Sequence, residues 1–278
     1  MKRQSKVIAI LEVLLVRAAM VGVFWLLLPL AEWQQRTLGF NLLGKLAWLL
    51  FPILWLLITH RKLADYGIHF HHWRADLNAA LSAFLPIAIV SGTLGFMPYL
   101  LWYGALIEGV LHLAALVFVA HALTRKPDPQ SGLVTIGLAC VMFSGYTWWK
   151  GLYPGLAQGT WNFINYLVFV GFAEEIWYRG YIQTRLNQVF ERRWTFYGVQ
   201  WGWGVIITSL IFGLTHVLNG WNMQTGTFQP LWWWGVWTTV SGLLYAYVRE
   251  KTGSVVAGSI LHGLPQALVY FFVRLGSF

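Results

Sequence analysis

Charge is scarce in this chain of 278 residues. Asp, Glu, Lys and Arg together make up 10% of it, against roughly 25% in soluble domains. With 58% hydrophobic residues and a mean hydropathy of +0.58, that scarcity excludes an ordinary soluble globular domain. Cysteine is almost missing: Cys140 alone, in an apolar run, offers neither a disulfide framework nor a cysteine zinc site. Acidic residues are few, 10 against 19 Lys and Arg, giving a net charge of +9. In a soluble chain that excess would suggest nucleic acid, but here the cations gather in short loops, where they act as topology determinants, and no nucleic-acid partner is expected. The alternating pattern of a transmembrane barrel is also lacking, as are internal repeats, low-complexity tracts and any soluble domain.

Long apolar runs of near twenty residues are what the chain has instead, each enough to cross about 30 Å of hydrocarbon as a helix. The first run follows a basic start but is too long for a signal peptide, and it reads as a retained helix. Nine spans are predicted: 7 to 30, 40 to 59, 77 to 98, 104 to 123, 132 to 149, 160 to 184, 201 to 219, 231 to 248 and 254 to 274. With the N-terminus in the cytoplasm, the inner side collects Lys2, Arg3, Lys6, Arg61, Lys62, Arg74, Arg125, Lys126, Arg185, Arg192, Arg193, Arg249 and Lys251. The outer side collects only Arg36, Lys45, Lys150 and Arg274. This inward bias favours that orientation, with the C-terminus outside. Trp232, Trp233, Trp234 and Trp237 begin the eighth span as an interfacial aromatic belt would. The fold class expected is an all-α polytopic membrane protein, residues 1–278 forming one transmembrane domain in the lipid bilayer.

The second half carries ionisable groups inside such spans. Glu174, Glu175 and Arg179 lie in the sixth, where each costs about 2.5 to 3.5 kcal/mol near the bilayer centre. On an α-helix residues four apart share a face, so Glu175 pairs with Arg179 and Glu174 is left without an in-helix partner. Burial and a neighbouring carboxylate both raise its proton affinity, which suits a base acting on water. His216 follows Phe212 by four residues in the seventh span. In the ninth, His262 and Gln266 share a side and can supply two donors to an oxyanion, although Pro265 between them is expected to kink the helix near Leu261. A buried network that merely locks helices together is the plain alternative.

These residues, Glu174-Glu175-x-x-x-Arg179, Phe212-x-x-x-His216 and His262-x-x-x-Gln266, resemble the three motifs of the CAAX protease and bacteriocin-processing (CPBP, or Abi) family of intramembrane glutamate proteases. The resemblance covers about residues 131–278 as a catalytic core, with 1–130 as accessory helices. It implies an endopeptidase in which Glu174 and His216 activate a water, His262 and Gln266 hold the oxyanion, and Glu175 with Arg179 orients the site. Glutamine stands where the family has asparagine, and Asn219 or Asn222 could supply the amide instead. The family also implies metal-free chemistry with no cofactor, and a membrane-anchored or lipid-associated protein or peptide substrate cut near its C-terminus. Substrates of the family include prenylated C-termini, leader and signal peptides, and sorting tails; its distribution suggests a bacterial inner membrane.

Other readings use the same residues differently. Glu174, His216 and His262 could be three ligands of a catalytic zinc, although no His-Glu-x-x-His occurs. Ser241 with His262 suggests a serine dyad, but Ser241-Gly242 is also an ordinary small-residue helix contact. Asp65, Asp76 and Asp128 fall in or beside loops, which disfavours aspartyl chemistry. Glu108 with His112, and Glu12 near Arg17, would serve a proton-coupled carrier or a non-catalytic scaffold, or simply pair helices. His69, His71 and His72 form a loop cluster that reads as solvated.

Overall fold

A computed structural model describes residues 5–94, 97–151, 155–222 and 225–273; Lys2, Arg3 and Arg274 of the charge pattern lie outside these. The chain is nearly all helix. Helix α1 (Lys6–Leu38) and α2 (Leu42–Ile58) form a hairpin broken at Gly39, whose φ of 79° is open to glycine. Helices α3 (Trp73–Ser82) and α4 (Phe84–Thr93) are one apolar passage bent by 57°. Then come α5 (Trp102–Thr124) and α6 (Pro129–Lys150).

Each predicted span coincides with helix, but length and apolarity separate them. Among the described residues three helices, α1, α5 and α6, are long and apolar enough to cross a membrane, or four passages if the bent pair is one. Leu42–Ile58, Trp203–Leu218 and Val256–Phe272 are apolar but shorter. Burial runs opposite to that of a soluble protein. Leu26, Val141, Met142 and Trp148 are largely exposed, whereas Glu108, Glu175 and Arg179 are fully buried, the pattern expected where lipid is the outer solvent.

The predicted sixth span departs most from expectation. Its helical run is continuous from Leu156 to Asn187, but only α7 (Leu156–Ile164), α8 (Ala173–Glu175) and α9 (Thr184–Asn187) are α-helical. Between them Asn165–Phe172 and Ile176–Gln183 are π-helical, with hydrogen bonds spaced i→i+5, a form that recurs at functional sites. Two small antiparallel hairpins, β1 (Trp194–Phe196) with β2 (Val199–Trp201) and β3 (Trp221–Asn222) with β4 (Thr227–Phe228), flank α10 (Trp203–Leu218). Helices α11 (Trp232–Thr252) and α12 (Val256–Phe272) complete the chain. Helix α12 runs on through Pro265, so the break expected near Leu261 does not interrupt it.

Two apolar cores result. One joins α3, α4, α5, α11 and α12 around Phe84, Val119, Tyr247 and Leu261. The other joins α1, α2, α10 and the π-helical run around Met20, Leu56, Trp177 and Phe212.

At one end of the bundle the cations are paired. Arg61 and Arg185 both bind Glu12, Arg185 at 2.8 Å, and Glu250 binds Arg192 at 2.9 Å. Arg185, predicted as a loop charge, is buried in this network: a carboxylate on α1 offsets its desolvation. Glu12 thus pairs helices, as does Glu108, which accepts from Thr93 at 3.3 Å and lies 3.8 Å from His112.

Candidate active site

Glycine contacts bring the motif-bearing helices together. A Cβ placed on Gly171 would lie 2.6 Å from the Ser259 carbonyl oxygen and 2.9 Å from Gly263 Cα, and one on Gly263 would lie 2.7 Å from the Tyr166 carbonyl oxygen. Backbone therefore meets backbone where the π-helical run crosses α12, as small residues permit in membranes. Gly258 gives the Glu175 carboxylate its room: a Cβ there would stand 3.1 Å from Oε2. A second such crossing joins α10 to α11, with Gly213 against the Gly235 carbonyl oxygen and Gly242 against Ser209. Ser241 is buried in that packing, its hydroxyl donating to the Thr238 carbonyl at 2.9 Å, and the serine-dyad reading gains nothing from it.

The first crossing places His262 between the two glutamates. Its Nδ1 lies 3.1 Å from Glu175 Oε1 and its Nε2 3.9 Å from Glu174 Oε2. Glu175 turns its other oxygen towards Arg179 Nε, 3.4 Å away. All three guanidinium nitrogens of Arg179 are buried without a hydrogen bond, so this ion pair and the Phe212 ring, 4.9 Å from the guanidinium carbon, are what offset its burial. Glu175, Arg179 and His262 are buried, whereas the Glu174 side chain keeps 21% of its surface exposed. Of the two carboxylates, Glu174 alone is reachable.

His216 stands across Phe212. The Phe212 ring is 4.6 Å from His216 and 6.0 Å from His262. The Phe212 carbonyl can only accept, so the 2.9 Å contact to His216 Nδ1 fixes the proton on that nitrogen. Nε2 is then the lone-pair nitrogen whenever the ring is neutral. Gln266 is half-buried one turn beyond His262, and no side-chain hydrogen bond joins it to another described residue. Asn219 is exposed, and Asn222 accepts from the Thr225 amide at 3.1 Å inside its own turn.

Several neighbours escaped the sequence reading. Tyr245 stacks on His262 at 4.6 Å, Trp234 meets His216 at 5.3 Å, and Tyr178 donates to Thr215 at 2.9 Å beside His216. Trp234 and Trp237 correct the belt expectation. Trp232 and Trp233 are exposed as anchors should be, whereas Trp237 is buried against His112 at 5.2 Å. The i, i+3 spacing of Trp234 and Trp237 on an amphipathic start to α11 was the signal that separates them.

Among the described residues no three His, Cys, Asp or Glu side chains converge closely enough to hold a metal ion, and this includes Glu174 with both histidines and the loop triad His69, His71 and His72. Cavities of about 230 and 370 Å³ open at the charged end, beside Arg192, Arg249 and Glu250 and beside Asp76 and Lys251, and neither is lined by Glu174 or Glu175.

Comparison with curated proteins and with solved structures returns no match. A family model described as type II CAAX prenyl endopeptidase Rce1-like matches residues 156–268, from the start of α7 into the last turns of α12. The segment that carries both glutamates, Arg179, both histidines and Gln266 is therefore the part of the chain that is similar to this family, one of CAAX-type membrane proteases.

Proposed function

We propose that the chain is an intramembrane endopeptidase that hydrolyses a peptide bond near the C-terminus of a membrane-associated protein or peptide, with water as the nucleophile. The observation that carries this is the meeting of Glu174, Glu175 and Arg179 with His262, 87 residues away in sequence, in a place where only Glu174 is open. Glu174, helped by the lone pair of His216 Nε2, takes a proton from water as the water oxygen attacks the scissile carbonyl. Glu175 accepts from His262 Nδ1–H, and in the imidazolium form of that ring, which carries a proton on each nitrogen, Nε2–H donates to the oxyanion, with the Gln266 amide as second donor. The proton held by Glu174 passes to the leaving amine, and an acid and an amine result. Arg179 acts through Glu175 as a positioning residue. No step in this scheme calls for a metal or cofactor.

The family description nominates a prenylated C-terminal tail as the first substrate to try, and a bacterial inner membrane remains the proposed location. The test is cleavage of a fluorogenic S-farnesyl peptide by purified protein in nanodiscs. Glu174→Gln should lower kcat by about 10²- to 10⁴-fold while gel filtration and thermal melting stay as in wild type. Cleavage by Glu174→Gln at the wild-type rate would sink the mechanism, and absence of cleavage by the wild type would favour a scaffold that keeps the fold without the chemistry.

A further inference from the structure

Helix α1 carries two charged side chains into the bundle, and only one of them is matched. Glu12 accepts from Arg61, from Arg185 at 2.8 Å and from Tyr181 Oη at 3.2 Å. Arg17, five residues further on, has no carboxylate within ion-pair distance among the described residues. Its Nη2 reaches Thr215 Oγ1 only at 3.4 Å, and its Nη1 is buried without a partner. The guanidinium carbon lies 4.7, 5.7 and 5.9 Å from the rings of Trp48, Trp177 and Tyr178. Aromatic faces attract a cation, but they leave in-plane N–H groups unmet.

The position of this cation gives it meaning. Thr215 adjoins His216 and is bonded to Tyr178, which follows Glu174 by one turn. We propose that Arg17 receives the C-terminal carboxylate of the peptide substrate, an inference that rests on the reading of cleavage near a C-terminus. A planar guanidinium matches a carboxylate in two parallel bonds. Three residues of extended peptide span roughly 10 Å, the scale of a receptor set one turn along from Glu174 and across to the next helix. A lipid phosphate is the rival anion, but Arg17 faces α2, α10 and the π-helical run. Helix α1 lies outside the family match, so this part of the specificity comes from the accessory helices.

The test uses the Glu174→Gln protein in phosphatidylcholine nanodiscs and a fluorescent S-farnesyl Cys-Val-Ile-Met peptide, made as free acid and as amide, with binding read by anisotropy. The acid should bind at least tenfold more tightly. Adding Arg17→Gln should bring the acid-to-amide ratio to about one, and Arg17→Lys should retain part of it. Equal binding of acid and amide, or binding of neither, overturns the proposal. So does a preference that disappears when phosphatidylglycerol replaces phosphatidylcholine, which would give Arg17 to lipid phosphate. Hydrolysis by wild type is scored separately: selective binding without cleavage removes the peptidase reading and leaves Arg17 as a carboxylate receptor, whereas cleavage of acid and amide at one rate removes Arg17 and leaves Glu174.

Discussion

Arg179 is a charge with nowhere to go. It is fully buried, and Glu175 is the only carboxylate that meets it among the described residues. Removing one member of such a pair strands the other, at about 3 to 5 kcal/mol. Glu175→Ala should therefore lower the melting temperature in detergent markedly, and adding Arg179→Met should recover much of the loss, because no unpaired charge then stays buried; additive losses would contradict the pairing. The i,i+4 relation of these two residues was readable from spacing alone. That Glu175 also holds His262 was not, since nothing local in the sequence encodes a contact across 87 residues. Tyr245, Thr215 and Trp234 were illegible for a related reason: aromatic and small polar residues in apolar spans have many bland uses, and only the fold shows which ones touch a motif.

At the scale of helices, runs of apolar residues located the long helical stretches, but neither the four short strands nor the form of each helix. An apolar window reads alike in α- and π-helix, so the two π stretches around Glu174 and Glu175 had no sequence signature. The glycines were similarly mute: Gly22 and Gly171 look equivalent in sequence, but Gly22 has nothing within 4 Å of its would-be Cβ while Gly171 meets the α12 backbone. Backbone cannot step aside as a side chain can. Gly171→Ala should therefore push the π-helical run off α12 and reduce cleavage at least tenfold, whereas Gly22→Ala should leave cleavage unchanged and stabilise α1 by up to about 1 kcal/mol. Assays of both variants on the farnesyl peptide, with melting curves, check this; equal behaviour would show that the crossing does not set the site.

Across the whole molecule, the accessory helices are tied to the Rce1-like segment by charge as well as by packing. Glu12 reaches from α1 to Arg185 and, through Arg61, to the connection after α2. Glu12→Ala leaves Arg185 buried without its carboxylate, and a loss of about 3 kcal/mol or more is expected; a melting temperature equal to wild type would show that α1 is dispensable to the core. Composition made the membrane class and the helical content readable, because scarce charge and long apolar runs are properties of the whole chain. Which helices pair tightly was not readable, and that has a mechanical consequence. Glycine contacts weld Glu174, Glu175, Arg179 and His262 into one block and His216 with Trp234 into another, and beside the motif residues the blocks meet through side chains: the Tyr178–Thr215 hydrogen bond, the Arg179–Phe212 contact and the rings of Phe212, Tyr178 and Tyr245. Side chains part more readily than locked backbones, so under the proposed function this seam is where a peptide would enter, and parting it would draw the imidazole of His216 away from Glu174. A peptidase built this way would be disarmed while it loads and armed only by closing on what it will cut.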